Sequence, residues 1–266
     1  MKGPIGILDS GVGGLSVASR ILAHLPCEEI VYFGDSANVP YGEKKPETIR
    51  KLVYRIIDFF VSQKAKAVVM ACNSSSALVL EHARKRYAMP IVGVIEPAIQ
   101  EALRVSRKKS IGLFANAVTV ASGAHQETLT RISRNGVKIV PQACPHLVPL
   151  VEEGQLWGEE TERVLREYLC PIEKSGTDTL ILGCTHYPFL EETIRALLST
   201  PLNIIDPGEL TALTLKEILG QAGLLSANKE KVSHRFYVSG DAGKFRQVGS
   251  KLLGRPLMEV AHLDLP

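Results

Sequence analysis

Two segments of this 266-residue chain share one grammar. Ala67-Val-Val-Met-Ala-Cys72-Asn73-Ser74 and Thr179-Leu-Ile-Leu-Gly-Cys184-Thr185-His186 each run an apolar stretch into a small residue, a cysteine and polar residues able to cap a helix. A thiol at a helix N-terminus has its thiolate favoured by the helix dipole and unpaired N–H groups, which lowers its pKa from roughly 8.5. A single cysteine after a buried strand is more often a small core residue. Two of them, placed alike, favour chemistry. Of the remaining cysteines, Cys27 and Cys170 read as structural, and Cys144 stays open. Metal binding is not expected: Cys144-Pro-His146 and Cys184-Thr-His186 are Cys-x-His pairs, without the Cys-x₂₋₄-Cys or His-x₃₋₅-His spacing of zinc sites. Cys-x-x-Cys, the redox spacing, is absent as well.

Other polar residues fall where strands should end, which is where α/β sheets bind ligands. They are Asp9-Ser10, Gly34-Asp35-Ser36, Glu96, Asn116 and Asp206. Asp9-Ser10-Gly11-Val12-Gly13-Gly14-Leu15-Ser16 is a glycine-rich turn that fails the dinucleotide pattern, with Ser16 where Gly or Ala belongs, and no Walker A lysine follows. Its backbone N–H groups at a helix start suit a carboxylate as readily as a phosphate. Asn38-Val39-Pro40-Tyr41-Gly42 is a turn by composition. The polar run Thr185-His186-Tyr187-Pro188 argues against a core position for His186. Glu152 and Glu153 close a Pro149-Leu-Val-Glu-Glu-Gly stretch that a solvated helix end would also explain.

The elements that must position these groups alternate. Apolar runs at Ile5–Leu8, Ile30–Phe33, Ala67–Met70, Ile91–Ile95, Ile111–Phe114, Val137–Val140, Leu180–Leu182, Ile204–Ile205 and Phe236–Val238 are continuous. Continuity predicts strands buried on both faces of a largely parallel sheet. Helical spacing is expected over Ser16–His24, Glu47–Ser62, Ser76–Tyr87, Pro97–Val105, Glu159–Cys170, Leu190–Leu198 and Leu210–Ala222, with Pro46 as a start signal. The class is α/β. Nine strands are many for one sheet of this length, so two smaller units are expected. Breaks at Glu96-Pro97 and Asp206-Pro207-Gly208, each read as a strand end before proline, divide the chain into 1–96 plus 208–266 and 97–207.

Composition excludes several classes. With 31 Lys+Arg against 28 Asp+Glu, the net charge of +3 carries no dense basic stripe, so nucleic acid is not an expected partner. The clusters Arg84-Lys85-Arg86 and Arg107-Lys108-Lys109 are explained by solvation near helix C-termini. No apolar run approaches a membrane span. Met1-Lys2-Gly3-Pro4 passes directly into a strand-like run, so no secretory signal is expected, and five cysteines point to reduced thiols in the cytoplasm.

Taken together, the motifs resemble those of the glutamate racemases, cofactor-independent enzymes of the aspartate/glutamate racemase superfamily. The segments are Asp9-Ser10-Gly11-Val12-Gly13-Gly14-Leu15, Tyr32-Phe33-Gly34-Asp35, Pro40-Tyr41-Gly42, Cys72-Asn73, Gly93-Val-Ile-Glu96-Pro97, Ala143-Cys-Pro-x-x-Val-Pro-Leu-Val-Glu152 and Leu180-Ile-Leu-Gly-Cys184-Thr-His-Tyr-Pro188. The resemblance implies two similar α/β domains with mostly parallel sheets and an active site in the cleft between them. It implies that Cys72 and Cys184 are the catalytic thiols, with Asp9 supporting Cys72, and Glu152 and His186 supporting Cys184. Ser10, Pro40, Tyr41, Gly42, Asn73, Ser74, Thr119 and Thr185, together with Asp9 and His186, would hold the substrate. It further implies no cofactor, a homodimer, and a supply of D-glutamate for peptidoglycan. Some members also inhibit DNA gyrase, a role that no basic stripe or DNA motif supports here.

Departures from the family pattern are Cys72-Asn73-Ser74-Ser75 where Cys-Asn-Thr-Ala is usual, Asn116 where threonine is commoner, and His125 where tyrosine is. The last two would alter the middle-domain side of the pocket. Only eight residues precede Asp9, so activation by a cell-wall nucleotide precursor is not expected. Aspartate, or acidic amino acids broadly, remain alternative substrates. Two thiols count against the single-cysteine decarboxylases of the superfamily. Inverting an α-carbon without a cofactor needs a base on one face and an acid on the other. The α-proton is so weakly acidic that the carbanion must be stabilised as it forms.

Overall fold

The apolar runs become strands β1 (Ile5–Asp9), β2 (Ile30–Gly34), β3 (Ala67–Met70), β4 (Ile91–Gly93), β5 (Ser110–Ala115), β6 (Lys138–Ala143), β7 (Thr179–Gly183), β8 (Asn203–Ile205), β9 (Arg235–Val238) and β10 (Val260–His262). Every residue of β1, β2, β3, β5 and β7 is buried, as continuous apolar strands covered on both faces require. Helices α1 (Leu15–His24), α2 (Pro46–Ser62), α3 (Asn73–Arg86), α4 (Ile95–Val105), α5 (Ala117–Ala121), α6 (Ala124–Ile132), α7 (Leu147–Glu152), α8 (Glu159–Lys174), α9 (Glu191–Leu197), α10 (Pro207–Gln221) and α11 (Ala242–Leu253) alternate with them. The computed structural model describes residues 3–133, 136–227, 232–257 and 259–266. Met1 and Lys2, part of the expected leaderless start, lie outside the described residues.

Two sheets form. Among the described residues, one has the order β10-β9-β2-β1-β3-β4 and the other β6-β5-β7-β8, and every strand pairing within each is parallel. The run β2-β1-β3-β4 has the same order as β6-β5-β7-β8. In each, the innermost pair (β1 with β3, β5 with β7) ends in chemistry-bearing residues. Asp9 closes β1 and Cys72 lies just past β3; Asn116 follows β5 and Cys184 follows β7. The echo between the two cysteine segments is thus the visible part of a repeated four-strand topology.

Helix packing follows from the sequence pattern. Helix α2 begins at Pro46 and buries Ile49, Val53, Ile56, Ile57 and Phe60 along one face. That face seats directly on the first sheet: a Cβ on Gly6 of β1 would lie 2.6 Å from the Phe60 ring. A middle core layer joins the sheets, combining Ile5, Ile7 and Val69 of the first with Ile111, Leu113 and Ile181 of the second, and Ile21, Ile99 and Leu215 of α1, α4 and α10. Each such side chain contributes about 2 kcal/mol through burial.

Several expected boundaries move. β4 stops at Gly93 and α4 starts at Ile95, so Glu96-Pro97 sit in the first turn of a helix and not at a strand end. A proline is tolerated there because first-turn N–H groups have no intrahelical partner. Helix α3 begins at Asn73, three residues before the expected Ser76, and α8 runs on through Pro171 to Lys174. Strand β10 and helices α5, α6, α7 and α11 are additions to the expected set.

Candidate active site

Asp9 ends β1 fully buried, and the glycine-rich turn folds around its carboxylate. The Gly11 and Gly14 N–H groups donate to Asp9 Oδ2 at 3.1 and 2.9 Å, and the Val12 N–H donates to Glu152 Oε1 at 3.3 Å. These donors, expected to be open to a ligand's carboxylate or phosphate, are instead taken by the protein's own carboxylates. The turn's glycines serve close approach. A Cβ on Gly13 would lie 2.5 Å from His186 Nδ1 and 2.6 Å from Thr185 Oγ1; one on Gly14 would lie 2.4 Å from Asp9 Cβ. The second half therefore docks its Thr185-His186 turn onto the first half's glycines. Thr185 Oγ1 donates to Asp9 Oδ1 at 3.1 Å, and Ser16 Oγ donates to the Thr185 carbonyl at 3.0 Å.

Cys72 is the N-cap residue of α3 and is buried. Burial and the Asp9 carboxylate push its thiol up to about 11, against the Ser75 backbone N–H and hydroxyl, which favour the thiolate. The next residue, Asn73, is also buried, and its side-chain oxygen has no partner among the described residues. Ser74 turns instead toward the second half: Asn116 Nδ2 donates to Ser74 Oγ at 3.0 Å, and Ser74 Oγ lies 3.2 Å from Thr119 Oγ1. Asn116 also caps α5 by accepting from the Thr119 N–H at 3.0 Å. Gly42 completes this second bridge, since a Cβ there would lie 2.7 Å from Asn116 Cβ.

Cys184, buried like Cys72, has a different neighbour. Its Sγ lies 3.7 Å from His186 Nδ1, and His186 Nε2 lies 2.7 Å from Glu152 Oε1. Burial works against a charged imidazole at His186, but the hydrogen bonds and charges of Cys184 and Glu152 outweigh it and raise His186 well above its ordinary value. Glu152 is held below the usual carboxylate range: burial opposes this, and the His186 contact and the Val12 N–H overcome it. The result is a carboxylate–imidazole–sulfur relay. Helix α7 delivers Glu152 from its last residue. Cys144, left open by its sequence context, is a core residue: it is fully buried, and its carbonyl accepts from the Tyr187 hydroxyl at 2.9 Å.

Both thiols open into one cavity of about 510 Å³, its mouth included. The first half lines it with Ser10, Pro40, Tyr41, Gly42, Cys72 and Asn73, and the second with Asn116, Cys184, Thr185 and His186, among others. Of the residues expected to act here, Asp9, Glu152, Ser74 and Thr119 stand behind this lining. Tyr41 lines the cavity while its hydroxyl donates to Asp35 Oδ2 at 2.6 Å. Asn116 belongs to the lining, whereas His125 does not: it is buried in α6, with neither ring nitrogen partnered among the described residues. Burial lowers its pKa to about 4. Ser16, seen in the sequence only as the residue that breaks the dinucleotide pattern, holds the Thr185 carbonyl, a tertiary contact that no local pattern announces. Among the described residues no group of three or more His, Cys, Asp or Glu is arranged to hold a metal ion, and no helix is long and apolar enough to cross a membrane.

Two parallel sheets of one strand order thus meet at a cavity that each lines with a cysteine, an arrangement of the racemase class. Residues 6–215 match the Asp/Glu/hydantoin racemase family, and the chain belongs to that family. It is 42% identical to a glutamate racemase of Shouchella clausii over 268 aligned residues, covering 100% of this chain and 96% of that one. Among solved structures, a glutamate racemase isoform from Bacillus anthracis superposes with a TM-score of 0.96 at 36% identity, covering 100% of this chain and 99% of the other. A Francisella tularensis glutamate racemase in complex with D-glutamate gives a TM-score of 0.92 at 32% identity, covering 99% and 98%.

Proposed function

We propose that this protein interconverts L- and D-glutamate without a cofactor, with Cys72 and Cys184 as the two proton-transfer groups. The observation that carries the reading is the cavity into which both thiols open, one from each sheet. One sulfur, as thiolate, removes the α-proton and becomes a thiol. The other, as thiol, delivers its proton to the opposite face and becomes a thiolate. The roles exchange between the L→D and D→L directions, so the enzyme must exist in two one-proton forms. His186, oriented by Glu152, positions and charges the Cys184 side. Asn73 lines the cavity, and its side-chain oxygen, without a hydrogen-bond partner among the described residues, would accept from the substrate ammonium. Backbone N–H groups at the start of α3 and in the turn after β7 would receive the α-carboxylate, on which negative charge grows during proton removal.

Glutamate is favoured over aspartate by the relatives, which are glutamate racemases from several bacteria. The physiological role that follows is supply of D-glutamate for peptidoglycan by a cytoplasmic homodimer. Initial rates on glutamate and aspartate, measured side by side by circular dichroism on dialysed enzyme with chelator present, test the reading. The expected result is a preference for glutamate of about a hundredfold or more, since a site built around polar groups discriminates strongly. Equal rates, or a requirement for added cofactor, would overturn it.

A further inference from the structure

We propose that Lys251 is a positioning residue of the Cys184 side: reaching from α11 of the first half, its ammonium ties down the turn that ends α7 in the second half and so keeps Glu152 within reach of His186. The inference rests on the two-thiol reading above, and it concerns a residue that does not line the cavity. It begins with α7 itself. Six residues, one of them Pro149, are too few to hold a helix by its own hydrogen bonds, so the place of Glu152 depends on what its last turn touches. Within that turn the Gly154 N–H donates to the Val151 carbonyl at 2.9 Å, and the Gln155 N–H donates to the Leu150 carbonyl at 2.8 Å. Gly154, at φ +71°, supplies the left-handed residue that this closure needs.

Lys251 closes the turn from outside. Its Nζ donates to the Gly154 carbonyl at 3.1 Å, and its side chain lies over the buried glycine: a Cβ on Gly154 would stand 2.9 Å from Nζ and 3.2 Å from Cδ. A positive group belongs there, because the carbonyls at a helix C-terminus carry its negative end. Helix α11 is a firm anchor. The Phe245 ring lies 5.9 Å from that of Tyr32 in β2, and a Cβ on Gly249 would lie 2.7 Å from Leu15 Cδ1 in α1. Leu252, the next residue after Lys251, packs against the core of the second half. On the other flank of the turn, Glu152 Oε1 accepts from the Val12 N–H, and a Cβ on Gly11 would lie 2.7 Å from it. The end of α7 is thus pinned to the first half by the glycine-rich turn and by Lys251. Of these, Lys251 can be altered without disturbing the cavity lining or either thiol.

The test compares wild type with Lys251→Met, which keeps the stem and loses the ammonium, and Lys251→Arg, which keeps a charged donor. Lys251 is exposed, so both variants should fold with the wild-type far-ultraviolet circular dichroism. Lys251→Met should lower kcat/KM for glutamate about fivefold, alike in both directions because the enantiomers are equal in energy, and Lys251→Arg should restore it. A residue that acts through Glu152 has nothing left to position once that carboxylate is gone. With Glu152→Gln already present, Lys251→Met should therefore cost less than about twofold more. A second readout follows the His186 ring by nitrogen-15 NMR across pH. The groups facing His186 are Cys184 of its own turn, Glu152 of α7 and Asp9 of β1, and of these Glu152 belongs to the tied turn. The His186 titration should move down by about one pH unit in Lys251→Met and stay in place in Lys251→Arg. Unchanged kcat/KM in Lys251→Met, a full fivefold loss on top of Glu152→Gln, an unmoved His186 titration, or equal loss in Lys251→Arg would overturn the proposal. If wild type failed to racemise glutamate, the two-thiol reading would fall, while the His186 titration would still report on Lys251 itself.

Discussion

Cys72 and Cys184 sit after equivalent strands of a repeated topology, yet their surroundings diverge within two residues. After Cys72, its N-cap residue, the chain enters a 14-residue helix at once, and the thiol feels the buried carboxylate of Asp9. After Cys184 it forms a 3-10 turn over Tyr187–Leu190 before α9, which leaves room for His186 to reach the sulfur with Glu152 behind it. One sulfur thus stands at a helix start near a carboxylate, and the other lies beside a chargeable ring. Equal strands and unequal caps give a reaction with two chemically different walls, although its substrate and product are mirror images.

The same second half holds another contrast. His186 and His125 are both buried. The first is flanked by Cys184 and Glu152 and gains protons; the second has no hydrogen-bond partner among the described residues and loses them. Burial alone therefore does not decide a histidine's charge. The neighbours do.

Removing either thiol is the harshest way to break the comparison. Cys72→Ala and Cys184→Ala should each lower racemisation by more than about a thousandfold, because a missing acid is as fatal as a missing base. Circular dichroism of the amino acid reports it, and substantial turnover in either variant contradicts the paired mechanism. Asp9→Asn sharpens the contrast from the Cys72 side. Loss of the negative charge should make the Cys72 thiol ionise more readily and speed its alkylation about tenfold, even as racemisation falls with the loosened turn. Parallel loss of both would mean that Asp9 acts by shape alone.

The smallest effect concerns His125. Its folded-state pKa of about 4 lies below the unfolded value of 6.5, so the unfolded chain binds more protons between them. Its contribution to stability is present above pH 6.5 and is lost as pH falls from 6.5 toward 4, by about 3 kcal/mol in all. His125→Leu should flatten that acid limb in urea titrations while leaving the alkylation of both thiols unchanged. An undiminished acid limb would place the lability elsewhere.

Much of this arrangement was legible from residue types. The continuous apolar runs marked buried parallel strands, and the paired cysteine segments marked the two inner strand ends. Short or proline-bearing elements were not legible. Helix α7 contains Pro149 and spans only Leu147–Glu152; α11 carries Gly243 and Gly249; β10 is a three-residue strand with Ala261 and His262 exposed. Val94-Ile95 reads as strand because its apolar character cannot distinguish a strand end from a helix start. At the site, residue types signalled Cys72, Cys184 and His186. The glycine turn's actual task was hidden, because its donors are consumed by Asp9 and by Glu152, a residue 140 positions away from Val12. Tertiary partners decided what local pattern left open.

The most direct test of two thiols working from opposite faces is racemisation of L-glutamate in D₂O, stopped at a few per cent conversion and read by mass spectrometry of the separated enantiomers. Two distinct groups predict deuterium at Cα of nearly all the D-glutamate formed, while the remaining L-glutamate keeps its proton. Product carrying the substrate's own proton, or deuterium entering L-glutamate as fast as D-glutamate, would show a single group acting on both faces and would contradict the account.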